Sequence, residues 1–188
     1  SGDITIIGNS PVINDPLHIG MHDLGNMFES GSRDANSTIF MDGTGAGYVY
    51  YVEFGTVPET INSIKLVTER DASTNSRATT HFKLKSKSLG SAGWDAVPLY
   101  DGDIDYATGD VNTLVITLST SVTAQQFRAE FTGGNDAAGV RVTELNAIGV
   151  KNGEQLWDPE NIIIGDHSAT DWQAGYFNIE NAFQPAGY

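Results

Sequence analysis

The side chains of this chain that could do chemistry offer oxygen and nitrogen but no thiol, because it contains no cysteine. Cysteine catalysis, disulfide staples and thiolate-held zinc or iron–sulfur clusters are thereby excluded. Oxygen donors crowd two segments. Between positions 29 and 38, Glu29, Ser30, Asp34, Asn36 and Thr38 lie close together with a glycine among them. A calcium ion takes about six to eight such oxygens, and glycine lets carbonyls converge on it. The run DGDIDYATGD at 101–110 places Asp101, Asp103 and Asp105 at alternate positions. An EF-hand loop would then need glycine in sixth place and glutamate in twelfth, where Tyr106 and Asn112 stand. The run is therefore either a solvated acidic turn or an opportunistic cation site. His18 and His22 share a loop, yet two histidines alone make no metal centre.

Catalytic patterns are missing. Asp plus Glu is 24, so a glycosidase-like carboxylate pair could always be imagined and carries no weight. No HExxH, GxSxG, Walker A or GxGxxG motif occurs. The segment GTGAG at 43–47 leads into YVYYVEF, which reads as a strand, whereas a dinucleotide loop must open a helix. The expectation is a protein that is not an enzyme. Against the acids stand only 10 Lys plus Arg, giving a net charge of −14. Such a field repels nucleic acid and anionic membranes and suits neutral ligands, cations and an extracellular milieu. No run of about 18 apolar residues is present to span a membrane.

The elements that must position these groups are strands. At 188 residues the chain has the size of one domain. Its apolar pattern has period two almost wherever it has a period. Strands are predicted over 3–7, 48–54, 61–68, 80–87, 113–118, 126–131, 140–148 and 161–164. In 80–87, Phe82 and Leu84 face inward while Lys83, Lys85 and Lys87 face out, as in a half-buried strand or a lysine-guarded edge. In 140–148 the period slips, which suggests a bulge. Thr123–Gln126 could form a single helical turn, and no longer amphipathic helix is visible. Eight or more strands joined by glycine- and aspartate-rich loops predict an all-β fold, a β-sandwich or jelly roll. The bases are segregated, eight of the ten lying from Lys65 to Arg141.

Within this pattern residues 28–149 carry a recognisable series. It opens with Asp34-Ala35-Asn36-Ser37-Thr38-Ile39-Phe40, followed by a strand that ends Glu53-Phe54-Gly55. Next come Ile61-Asn62-Ser63-Ile64, Arg70, a loop over 71–78, His81-Phe82-Lys83-Leu84 and Trp94. Phe127-Arg128-Ala129-Glu130-Phe131, Gly133-Gly134 and a strand from Val140 to Gly149 with Glu144 close it. The series resembles the F5/8 type C, or discoidin-like, domain, a group that includes many galactose-type carbohydrate-binding modules. Departures are Phe40 where tryptophan is usual and Asp34-Ala35 where the family has Asp-Gly. The implied organisation is one galactose-binding-domain-like β-sandwich over 1–188, with extensions at 1–27 and 150–188.

The resemblance also implies a site. A structural Ca²⁺ would be held by Asp34, Thr38 and Glu144 with loop carbonyls; the alternative is an Asx-turn loop with Glu144 solvated or capping. A sugar would meet the loop end bearing Arg70, Asn75, Arg77 and His81, with His22 and Trp94 as further contacts. The planar guanidinium of Arg70 suits vicinal hydroxyls or a carboxylate; the alternative is an ion pair with Glu69 or Asp71. Trp94 would either stack on a sugar or pack into the core.

The expected function is a non-catalytic carbohydrate-binding module that targets a secreted or cell-surface protein to glycan. The expected partner is a glycan or polysaccharide, without nucleic acid or membrane insertion, and neighbouring domains of a larger protein. The competing expectation is a structural or protein-binding sandwich of an adhesin, appendage or virion protein. An exposed aromatic at the arginine-bearing loop end would favour the glycan; a broad interface would favour the other.

Overall fold

The computed structural model describes residues 4–10, 12, 24–29, 37–41, 47–69, 77–105, 111–133, 139–149, 156–157 and 162–164. Its strands are β1 (Ile4–Asn9), β2 (Thr38–Phe40), β3 (Val49–Glu69), β4 (Thr79–Ser88), β5 (Tyr100–Asp103), β6 (Val111–Gly133), β7 (Val140–Gly149) and β8 (Ile162–Ile164). A 3-10 turn over Leu24–Phe28 precedes β2. The hydrogen-bonded order is β2-β7-β3-β6-β4-β5, with β1 beside β3 and β8 beside β1.

Two strands build the sandwich. β3 and β6 are much longer than the rest, and each changes neighbours halfway along. The first part of β3 pairs with β1 and with the last part of β6, which in turn carries β4. From Ile61 onward β3 pairs instead with β7 and with the first part of β6. The register slips between Gly55 and Glu59 and again between Ile61 and Ser63. Bulges at these points bend both strands from one layer into the other. The sequence reading of 48–54 and 61–68, and of 113–118 and 126–131, as separate strands is corrected accordingly: each pair is one bent strand. The helical turn expected at Thr123–Gln126 is likewise part of β6.

Alternation decides what each layer buries. Tyr50, Val52 and Phe54 of β3, Phe82 and Leu84 of β4, and Phe127, Ala129 and Phe131 of β6 all enter one core. From the second layer come Ile64 and Leu66 of β3 and Val142, Leu145 and Ala147 of β7. The shift in parity between Val142 and Leu145 is the bulge suggested by the sequence, lying against Val67 and Thr68. Aromatic rings fill the middle, with Phe131 stacked on Phe40 and on Phe82, and Phe54 on Phe127. Phe40, in the place where the family pattern has tryptophan, is fully buried.

Both extensions enter this core. Ile4 and Ile6 of β1 are fully buried, and so is Trp157, whose ring meets Phe54 and Phe127 edge-on at 4.9 and 4.7 Å. The Trp157 backbone N–H donates to Asn146 Oδ1 at 2.9 Å, and Leu156 N–H to the Ala147 carbonyl at 2.8 Å. β8 runs parallel to β1. Among the described residues no helix is long and apolar enough to cross a membrane.

Candidate functional site

The bent strands gather several termini at one end of the molecule. Thr79 of β4 pairs with Gly133 of β6, and Gly133 N–H donates to the Tyr48 carbonyl at 2.9 Å. The β3–β4 loop returns here through Arg77, whose carbonyl accepts Arg141 N–H at 2.9 Å as β7 begins. Arg77 has φ 66°, a left-handed backbone that a non-glycine residue adopts only when its surroundings hold it there. Gly139, at φ 112°, lets β7 pass the Phe40 carbonyl so closely that a Cβ could not fit.

Tyr48 stands at the mouth of this end. Its ring packs on buried Tyr50 at 4.8 Å between centroids and is 42% exposed. Alternation in YVYYVEF puts it on one face with Tyr50, Val52 and Phe54; it is half-exposed at the start of the strand, ahead of Val49, the first paired residue of β3. From Tyr48 across Gly133 to Thr79 is two strand spacings, about 10 Å. A half-exposed aromatic and the turn that bears Arg77 thus lie at the same end of the sandwich. Nearby, Glu69 lies 4.0 Å from Arg141 Nη1 and accepts the Thr143 hydroxyl at 3.4 Å.

The other expected residues are distributed differently. Arg70, Asn75, His22 and Asp34 lie outside the described residues. His81 is on β4 and points to the outer face of the sheet. Its Nδ1 is 2.7 Å from Asp103 Oδ1 and its Nε2 is 2.7 Å from Asp101 Oδ1. The second Asp101 oxygen lies 2.7 Å from Lys83 Nζ. Hydrogen bonding to Asp103, then Asp101, raises the imidazole above its ordinary value and outweighs desolvation. Lys83 and His81 together hold the Asp101 carboxyl below the usual range. The turn expected at 101–103 is therefore an edge strand, β5, because its acids pair with the basic outward positions of β4. Both ring nitrogens of His81 face carboxylates, not the mouth.

Trp94 is separated from Arg77 altogether. Asp95 N–H donates to the Ser86 carbonyl at 3.0 Å, so Trp94 lies beside the final residues of β4. At about 3.3 Å per residue, that is on the order of 25 Å from the Arg77 turn. The Asp95 carboxylate fixes the loop by accepting the Ser86 and Ser88 hydroxyls, each at 2.9 Å. Burial pushes this carboxyl up, but the two serines more than offset it, and the net shift is downward. The expectation that one surface holds both Trp94 and Arg77 is corrected by this geometry.

Two expected calcium ligands are described. Thr38 Oγ1 donates to the Leu24 carbonyl at 3.2 Å and accepts Met27 N–H at 3.1 Å, tying the 3-10 turn to β2. Glu144, only 2% exposed, lies 2.8 Å from Lys65 Nζ. Both are hard oxygen donors of the kind calcium takes, and they sit on the paired strands β2 and β7. Among the described residues no group of three His, Asp or Glu side chains is arranged to hold a metal.

The remaining outer face is a mixed-charge band. Arg128 Nε donates to Glu130 at 2.6 Å and Nη1 to Glu53 at 2.5 Å, and its guanidinium lies 4.3 Å from the centre of the Tyr51 ring. Burial lowers the Arg128 pKa, but the two glutamates outweigh it and the net shift is upward. Lys85 Nζ lies 3.8 Å from Glu130, while Lys87 stands opposite Gln126.

No protein-family model and no curated protein matches the sequence. Solved structures do match in fold. The C-terminal domain of a chitobiase from Bacteroides fragilis superposes with TM-score 0.58 at 13% identity, over 79% of this chain and 94% of that one. A family 32 carbohydrate-binding module of Clostridium perfringens NanJ, in complex with galactose, gives 0.53 at 10%, over 77% and 92%. A GH29 fucosidase from Ruminococcus gnavus in complex with fucose gives 0.50 at 15% identity over 71% of this chain. The chain spans only 23% of that fucosidase's length. The protein has the galactose-binding-like jelly-roll fold of the discoidin-like, F5/8 type C domains.

Proposed function

We propose that this protein is a non-catalytic carbohydrate-binding module whose sugar surface is the Arg77 end of the sandwich. The observation that carries the reading is Tyr48, half-exposed at the mouth about two strand spacings from the start of β4. An aromatic face takes the apolar side of a pyranose, while guanidinium and amide donors take its hydroxyls. Tyr48 supplies the first; Arg77, with Arg70 and Asn75 of the same loop, supplies the second. The galactose complex of a module with the same fold supports a sugar as ligand. The net charge of −14 favours a neutral sugar over a polyanion. The module would serve a secreted or cell-surface protein by holding it to glycan.

A glycan-array screen tests this. Wild-type protein is expected to bind one class of sugar, and Arg70→Ala to weaken that binding at least tenfold. Arg77→Gly keeps the left-handed turn while removing the guanidinium, so it separates binding from folding. A blank array from folded wild-type protein would contradict the proposal.

Calcium belongs to the same proposal. Asp34, Thr38 and Glu144 would hold it, and it would fix the loop before β2 so that ordering is complete before a ligand arrives. A chelator is then expected to lower the melting temperature and calcium to restore it. Unchanged stability and metal content after chelation would remove calcium from the account.

A further inference from the structure

Burial singles out one carboxylate. Among the described residues Glu144 is the only charged side chain that is buried. A carboxylate so placed is stable only when a cation and hydrogen bonds compensate it. Lys65 supplies the cation, with Nζ 2.8 Å from Glu144 Oε2. The two meet diagonally across neighbouring strands, since Lys65 of β3 pairs with Asn146 of β7 and Val67 pairs with Glu144. Their exposures differ. Glu144 is 2% exposed and Lys65 27%. Ile64 and Leu66 enter the core, so alternation turns Lys65 outward, beside exposed Val115 of β6. A lysine on such a face can carry its ammonium into water on a flexible stem, whereas the carboxylate stays buried with its strand.

Glu144 is also the carboxylate that the calcium reading uses. Its oxygens, with Thr38 on the strand paired to β7, are hard donors of the kind that ion takes. One buried carboxylate cannot face an ammonium and a divalent cation together without strong repulsion between the two positive charges. Asp34 and Glu144 bring two negative charges to such a site, and Lys65 cancels one of them. Ligand charge is one of the quantities that tune calcium affinity.

We propose that Lys65 is the resident counter-cation of Glu144 and thereby sets the calcium threshold of the module. The inference rests on the calcium reading above, in which Asp34, Thr38 and Glu144 hold the ion. Without calcium, the Lys65 ammonium neutralises Glu144 and the sandwich keeps its fold. With calcium held, Lys65 turns its ammonium out to water. Loading therefore breaks an ion pair, and the same oxygen ligands bind more weakly than they would without the lysine. The affinity then falls in the range of extracellular modules, about 10⁻⁴–10⁻³ M.

Calorimetric titration of calcium into chelator-treated protein tests this, with thermal melting as a second readout. Lys65→Met is expected to bind calcium at least tenfold more tightly than wild type. Lys65→Arg, which keeps the charge, is expected to bind no more tightly than wild type. In chelator Lys65→Met is expected to melt well below wild type, and calcium to restore most of the loss, because its buried carboxylate then regains a cation. The double variant Lys65→Met/Glu144→Gln removes both charges and is expected to melt alike with and without calcium. Equal calcium affinity in wild type and Lys65→Met would overturn the inference and leave the calcium reading standing. So would tighter binding that persists in the double variant, since the gain would then not come from Glu144. Absence of calcium binding from every variant would overturn both.

Discussion

His81 shows how a side chain of general chemical promise acquires a specific structural duty. Alternation in 80–87 puts it on the outward face, and the alternate aspartates of β5 then meet it and Lys83 across one strand spacing. Its pKa is raised above 6.5, so its contribution to stability is complete below that pH and is lost as pH rises through the raised value. Asp101 is lowered below 3.8, so its contribution is complete above 3.8 and is lost as pH falls through the lowered value. The clamp is therefore fully formed between 3.8 and 6.5. Urea unfolding of wild type and His81→Gln is expected to differ most near pH 5.5 and to converge by about pH 9. A constant difference would show that the imidazolium charge is not what holds β5. At the same scale Tyr48 was hidden in the sequence, since its parity matches buried Tyr50 and only its place at the strand's start exposes it.

At the scale of elements, the strand pattern was readable wherever one face is apolar and the other polar. β4 from Phe82 to Lys87 and the last part of β6 from Phe127 follow their sequence alternation residue by residue, because one face of each meets the core and the other carries polar and charged side chains. β2 and β5 were not readable, as three or four residues give too short a period and β5 consists of residues that usually make turns. The continuity of β3 and β6 was hidden for another reason. Bulges around Gly55–Ser63 shift the parity, so one strand reads as two. Trp157 was visible as a tryptophan, but its partners Phe54 and Phe127 are remote in sequence and nothing local indicates the contact. Trp157→Ala is expected to cost about 3–5 kcal/mol, as for other large core truncations. A loss below about 1 kcal/mol in chemical denaturation would mean that the segment after β7 merely lies against the sandwich.

For the whole molecule, the two bent strands make one core and bring the starts of β3, β4 and β7 to the same mouth. The basic middle, legible in the sequence, places Lys83, Lys85 and Arg128 opposite carboxylates on the outer face and Arg77 at one end. The sequence pointed to that end through Arg77, and it also joined to it Trp94, which the folded-back loop before β5 carries to the opposite end. That separation allows the most direct test of the central claim, that a sugar binds at the Arg77 mouth. The measurement is calorimetric titration of the preferred sugar into wild type, Tyr48→Ala and Trp94→Ala. Tyr48→Ala is expected to lose at least tenfold in affinity, about 1.4 kcal/mol, while Trp94→Ala binds as wild type does. Binding that survives Tyr48→Ala and is lost in Trp94→Ala would contradict it and move the sugar to the other end of the sandwich.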